Sequence, residues 1–233
     1  MRVVVPLAGP DFILRGGELK ANIKYDGEPL LRRVLNSRPW ANTLASRDYS
    51  FVLFDAPETR AFAADTLLDW FPDATITFIS SYTRGAALSA LAGMVTVEDL
   101  DVHIIVDLAD ILYESALDPV VTFAENSECG GIALTFQSDN SAYSYLSLDT
   151  SGVFDQAAEK RVISNNASAG TYIFRNLATY LQALAHGLNN ETSQTFRDLL
   201  FVCPLFNGVK DQGKQVLLEP VTKVFDVKME TGA

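Results

Sequence analysis

The sequence predicts an α/β fold: a mixed, mainly parallel sheet flanked by helices, with a small antiparallel C-terminal part. Three observations carry this. Short β-branched runs alternate with amphipathic helical stretches as far as residue 113, the pattern of strand–helix–strand units joined by right-handed crossovers. Ile104-Ile105-Val106 inside this series has the character of a strand covered on both faces. It ends at a pair of acids, Asp107 and Asp110. After Cys129 the segments become short and alternate in polarity, as in antiparallel ribbons.

Composition narrows the function classes. The 233 residues are 48% hydrophobic and 20% charged, values of a globular protein with a sizeable core. No linker, repeat or low-complexity stretch divides residues 1–233, so one domain is expected. The net charge of −11 excludes a general nucleic-acid surface, which needs a basic face. It leaves phosphate ligands open, because a few lysines or a Mg²⁺ reverse the field inside a cleft. Cys129 and Cys203 have neither metal-site nor disulfide-framework spacing. With only His103 and His186 present, a histidine-centred triad or metal site is not expected. No stretch has the roughly 18 apolar residues of a membrane span, and three valines near the start do not form a leader pattern. A cytoplasmic protein without membrane or nucleic-acid partners is expected, and a homo-oligomer is compatible with the composition.

In chain order, Arg2 to Gly9 reads as a strand running into a glycine-containing loop that ends near Lys20. Such a loop can present backbone N–H groups to phosphates, although no Walker A or dinucleotide fingerprint is present. Lys20 to Tyr25 looks extended, Asp26-Gly27 turns, and Pro29 opens a helix through Leu35. Ser50 to Phe54 is a buried strand. Glu58 to Phe71 carries a helical stripe of Phe62, Ala63, Leu67, Trp70 and Phe71. Asp73 to Ile79 is a third strand, and the small residues of Thr83-Arg84-Gly85-Ala86-Ala87 open a helix running towards Val97. Strand ends in open α/β sheets are where ligands bind. A carboxylate such as Asp110 at that place can hold a cation and its phosphates, or simply cap the turn.

Pro119 to Ala124 reads as helix. Gly131 to Phe136, Tyr143 to Leu148 and Gly152 to Ala157 read as the antiparallel segments, and Tyr172 to Phe174 as a further strand. Asn176 begins a helix that Gly187 ends, and Thr192 begins another. Gln215 to Leu218 and Val221 to Val227 form a last pair of strands.

Six segments in order resemble the sugar-phosphate nucleotidyltransferase family, the nucleoside-diphosphate-sugar pyrophosphorylases. They are Val3 to Gly9, Lys20 to Leu31, Thr83 to Ala87, Leu108-Ala109-Asp110, Ala158 to Tyr172, and Phe225-Asp226-Val227. The resemblance spans essentially the whole chain and implies a Rossmann-like sheet of the kind also found in GT-A glycosyltransferases. It implies transfer of a nucleotidyl group from a nucleoside triphosphate to a phosphorylated sugar or similar phosphomonoester, with Mg²⁺ as cofactor and pyrophosphate as product.

By the same resemblance Lys20, Asp110 and Asp226 are catalytic, and the two acids hold the metal. Leu7, Ala8, Gly9, Arg15, Lys20, Thr83, Gly85 and Ala86 meet the nucleotide. Glu159, Lys160, Asn166, Gly170 and Thr171 meet the acceptor. The departures lie mainly in the first loop. Pro10 removes an N–H donor, Asp11 puts a negative charge where phosphates are expected, and Arg15 would stand in for the usual arginine. Ala21 replaces a usual proline, and Lys228 a usual glycine. Two alternatives follow: a glycosyltransferase of similar architecture, or a non-catalytic relative that binds a nucleotide or sugar phosphate.

Overall fold

The computed structural model describes residues 1–226. Strand β1 (Arg2–Pro6) leads through a long loop to the ribbon β2 (Lys24–Tyr25) and β3 (Glu28–Pro29), then to α1 (Leu30–Asn36). Strand β4 (Tyr49–Phe54) is followed by α2 (Pro57–Phe62), a π-helical turn at 63–67 and α3 (Leu68–Trp70). Next come β5 (Thr75–Ile79), α4 (Ala86–Met94), β6 (Ile104–Asp107), β7 (Ile111–Glu114) and α5 (Pro119–Glu125). Helix α5 starts sharply because the Asp118 carboxylate accepts from the N–H groups of Val120 and Val121, with Pro119 at the first helical position.

The remaining elements are β8 (Cys129–Gln137), β9 (Tyr145–Leu148), β10 (Phe154–Ala158), β11 (Asn166–Phe174), α6 (Leu177–Asn189), α7 (Glu191–Gln194), α8 (Leu205–Asp211), β12 (Gln215–Pro220) and β13 (Thr222–Asp226). Asn176 caps α6, accepting from the Thr179 N–H at 2.8 Å.

Nine strands make one sheet, in which β10-β9-β11-β6-β1-β4-β5 lie side by side and β8 joins β11 to β12. β1 sits between β4 and β6, parallel to both, and β5 continues the parallel set. The strands expected from Arg2, from Ser50 to Phe54 and at Ile104 to Val106 therefore lie in one sheet and are mutually parallel. Val3 and Val5 belong to one face of the sheet with Phe51, Leu53 and Ile105. Val4, Val52, Ile104 and Val106 belong to the other, under α4, α6 and α8. This is the period-2 alternation that a two-sided sheet demands.

The antiparallel segments are present: β9 and β10 pair as a ribbon, and β11, nine residues long and mostly buried, pairs antiparallel with β6, β8 and β9 and joins them to the central sheet. Two expectations are corrected. The last two strands do not pair with each other. β12 runs parallel to β8, and β13 pairs antiparallel with β7; Val227 and Lys228 lie outside the described residues. Gly187 lies inside α6, where the side chains of Leu200 and Leu205 fill the space a Cβ would take. Helix α8 went unanticipated, yet its apolar residues Leu205, Phe206 and Val209 are fully buried.

Candidate active site

A cleft of about 530 Å³ opens at the carboxyl ends of β1 and β6. Leu7 to Phe12, Lys20 and Ala21 form one wall, Tyr82, Thr83, Gly85, Ala86 and Ser89 another, and Leu108-Ala109-Asp110 the floor, with Lys160 and Phe201 also lining the cleft.

The floor is the tight turn from β6 into β7. Asp107 is fully buried and takes a fork from Arg38, Nε to Oδ2 at 2.6 Å and Nη2 to Oδ1 at 3.0 Å. Burial alone would lower the proton affinity of Arg38. Asp107, Tyr113 and Asp110 more than offset that, so its pKa stands above the ordinary value. Asp110 instead borders the cleft. Gly170, at φ +76°, makes room for it: a Cβ there would stand 2.9 Å from Asp110 Oδ1.

Asp226, at the end of β13, pairs in register with Ile111, the neighbour of Asp110. It is not part of the cleft wall itself. The Tyr143 hydroxyl donates to the Asp226 carboxylate, and its pKa is raised by burial first, then by Asp226, with Asp110 contributing. Two acids far apart in sequence thus act on one hydroxyl. Asp110 on the cleft floor and Asp226 on the strand paired with β7 offer two carboxylates, and Mg²⁺ is a hard ion that takes one or two carboxylates beside phosphate and water. Among the described residues no group of three or more histidine, cysteine or acidic side chains offers a fuller cage.

The nucleotide wall is built differently. Lys20, largely covered, lies 3.6 Å from the mostly exposed Asp11. Leu7, Ala8, Gly9, Thr83, Gly85 and Ala86 all line the cleft. Gly85 has φ +111°, and a Cβ there would collide with the Leu200 backbone. Leu200 is bonded on both sides, N–H to Arg84 O at 2.8 Å and O from Ala87 N–H at 3.2 Å. The Thr83 hydroxyl sits 2.6 Å from that of Ser89, and Tyr82 stacks on Phe54 at 4.4 Å. Arg15 is placed elsewhere. The Ile13–Leu19 bridge closes a small hairpin that carries Arg15 exposed on its turn, away from the cleft lining.

Of the five acceptor residues, only Lys160 lines the cleft. It adopts φ +49°, and its ammonium lies 5.7 Å and 5.9 Å from the rings of Phe196 and Phe201. Glu159 accepts from the Ser144 hydroxyl. Asn166 is engaged with Leu146 O at 3.3 Å and Gln137 Nε2 at 3.0 Å. Thr171 is wholly buried and accepts from Tyr113 at 2.8 Å. Thr171 is thus a packing residue here, and Gly170 serves Asp110. Sequence reasoning missed Arg38, Tyr143 and Phe201, none of which belongs to a local motif.

No family model matches the chain, and no curated protein sequence does. Solved structures do. A nucleoside-diphosphate-sugar pyrophosphorylase from Vibrio cholerae aligns at 21% identity and TM-score 0.79, covering 96% of this chain and 94% of the other. A putative glucose-1-phosphate thymidylyltransferase from Bacillus anthracis aligns at 14% and 0.71, covering 97% and 89%. An inositol-1-phosphate CTP transferase from T. maritima aligns at 12% and 0.68, covering 96% and 86%. The chain shares the fold of these nucleotidyltransferases. No helix among the described residues is long and apolar enough to cross a membrane.

Proposed function

We propose that the protein is a Mg²⁺-dependent nucleotidyltransferase that joins a nucleoside triphosphate to a phosphorylated sugar or similar phosphomonoester. The observation that carries the reading is the register of β13 on β7, which sets Asp226 opposite Ile111, next in the chain to Asp110, beside a cleft that also holds Lys20 and Lys160. An oxygen of the phosphomonoester attacks the α-phosphorus, the bond to the bridging oxygen breaks, and pyrophosphate leaves with that electron pair. The nucleophile is already ionised, so positioning and charge neutralisation dominate. Lys20 neutralises charge on the triphosphate, Lys160 receives the acceptor phosphate, and Asp110 and Asp226 hold the ion. When bound, Mg²⁺ supplies positive charge to the phosphate oxygens.

The burial of Asp107 supports this over the glycosyltransferase reading, because it removes Asp107 as a second cleft ligand beside Asp110. The Asp11–Lys20 pair is the observation that favours a non-catalytic, regulatory relative. A matrix of nucleoside triphosphates against phosphomonoesters with Mg²⁺, read as pyrophosphate release, separates them. At least one pair should release pyrophosphate well above either substrate alone. Binding of sugar phosphates without release from any pair would select the regulator.

A further inference from the structure

The turn that carries Asp110 has a backbone few sequences adopt. Ala109 stands at φ +53°, in the left-handed region where a Cβ crowds the neighbouring carbonyl. The Ala109 N–H donates to Asp107 Oδ1 at 2.9 Å. Arg38 Nη2 donates to the carbonyl of Ile111 at 3.1 Å while holding Oδ1 of the same Asp107. The guanidinium carbon lies 4.0 Å from the centroid of the Tyr113 ring. Residues 107, 109, 111 and 113 are thus tied, directly or through Asp107, to one buried cation. Across the turn, Leu108 donates to Gly170 O at 2.9 Å. Asp110 projects from the middle of this arrangement.

We infer that Arg38 is a positioning residue: through Asp107 and the Ile111 carbonyl it fixes the turn so that Asp110 presents its carboxylate to a divalent cation. The inference rests on the metal-site reading above. Stability alone is a poor reason for such a pair, since a buried ion pair barely recovers its desolvation cost and apolar replacements of both partners are often neutral or better. Geometry is what the pair delivers. It holds an alanine in a left-handed turn with hydrogen bonds on both flanks of the ligand.

The test compares wild type with Arg38→Met combined with Asp107→Val, which removes both charges together and so leaves no unpaired ion in the core. Mn²⁺ serves as probe, its free concentration followed by electron paramagnetic resonance, beside thermal melting and a Mg²⁺ titration of activity. The double variant should melt near wild type but bind Mn²⁺ roughly 10- to 100-fold more weakly, the range for loss of a group that orients a metal ligand. Half-maximal activity should need correspondingly more Mg²⁺, with the acceptor KM unchanged. A folded double variant with wild-type Mn²⁺ affinity overturns the inference. Should the double variant not fold, Arg38→Lys decides in the same way. It keeps the charge against Asp107 but loses the rigid fork, so weakened Mn²⁺ binding supports the inference and wild-type affinity overturns it. A wild type that binds no Mn²⁺ contradicts the metal reading itself, and the inference falls with it.

Discussion

The floor of the cleft and its first loop are built to different tolerances. The floor, the turn from β6 to β7, is locked by a fully buried ion pair and backbone hydrogen bonds. The loop after β1 carries its charges on a pair open to water on one side, the largely covered Lys20 with the mostly exposed Asp11, and pairs that water reaches contribute at most about 1 kcal/mol. A carboxylate that must meet a small ion needs accuracy of a fraction of an ångström. A lysine that neutralises a flexible polyphosphate does not. Changes at the floor should therefore be severe, and changes in the loop graded.

The largest effect should come from Asp110→Asn or Asp226→Asn, each of which keeps size and removes one charge. Steady-state pyrophosphate release should fall at least about a hundredfold in kcat, about 2.7 kcal/mol of barrier. Either variant turning over normally would break the contrast at its strong end. Arg38→Met alone strands Asp107 as an unpaired buried charge and should cost about 3–5 kcal/mol of stability, visible in denaturant unfolding. A loss below about 1 kcal/mol would mean the pair is not the lock it looks like.

Lys160→Ala removes the one predicted acceptor residue that lines the cleft. The acceptor KM should rise roughly tenfold with the triphosphate KM nearly unchanged, the size of one charge-assisted hydrogen bond. Equal losses for both substrates would assign Lys160 a folding role. Asp11→Asn is the mildest change. Freed of a competing carboxylate, Lys20 should bind the triphosphate about two- to fivefold more tightly at low salt, within the range of a surface ion pair. The gain should shrink as salt rises. A loss of triphosphate binding would instead make Asp11 a contributor to the site.

The same contrast explains what was legible in the sequence. The parallel strands were readable because β-branched runs and helical stripes are local patterns, and the place of Asp110 at the cleft because it lies just past the end of such a run. Arg38 was not readable. Its partner is 69 residues away, and nothing in Ser37-Arg38-Pro39-Trp40 marks the arginine for burial. Arg15 entered through the resemblance, as a stand-in for the usual arginine, and the loop sequence does not reveal that Ile13 and Leu19 pair and turn the intervening segment outwards. Glu159, Asn166 and Thr171 lie in a segment that the resemblance identifies, but their partners Ser144, Leu146, Gln137 and Tyr113 come from other parts of the chain, which no local pattern reveals. The pairing of β13 with β7, which sets Asp226 opposite Ile111, is a non-local event that no short motif encodes.

If Asp110 and Asp226 serve one ion, their substitutions must couple, and a double-mutant cycle on kcat measures that coupling. Asp110→Asn, Asp226→Asn and the combined variant are compared at saturating substrates over a Mg²⁺ titration. If both carboxylates hold the same ion, the second substitution should add little to the first, leaving a coupling of at least about 1 kcal/mol. Losses that simply add would contradict a shared site and leave the two acids with separate roles.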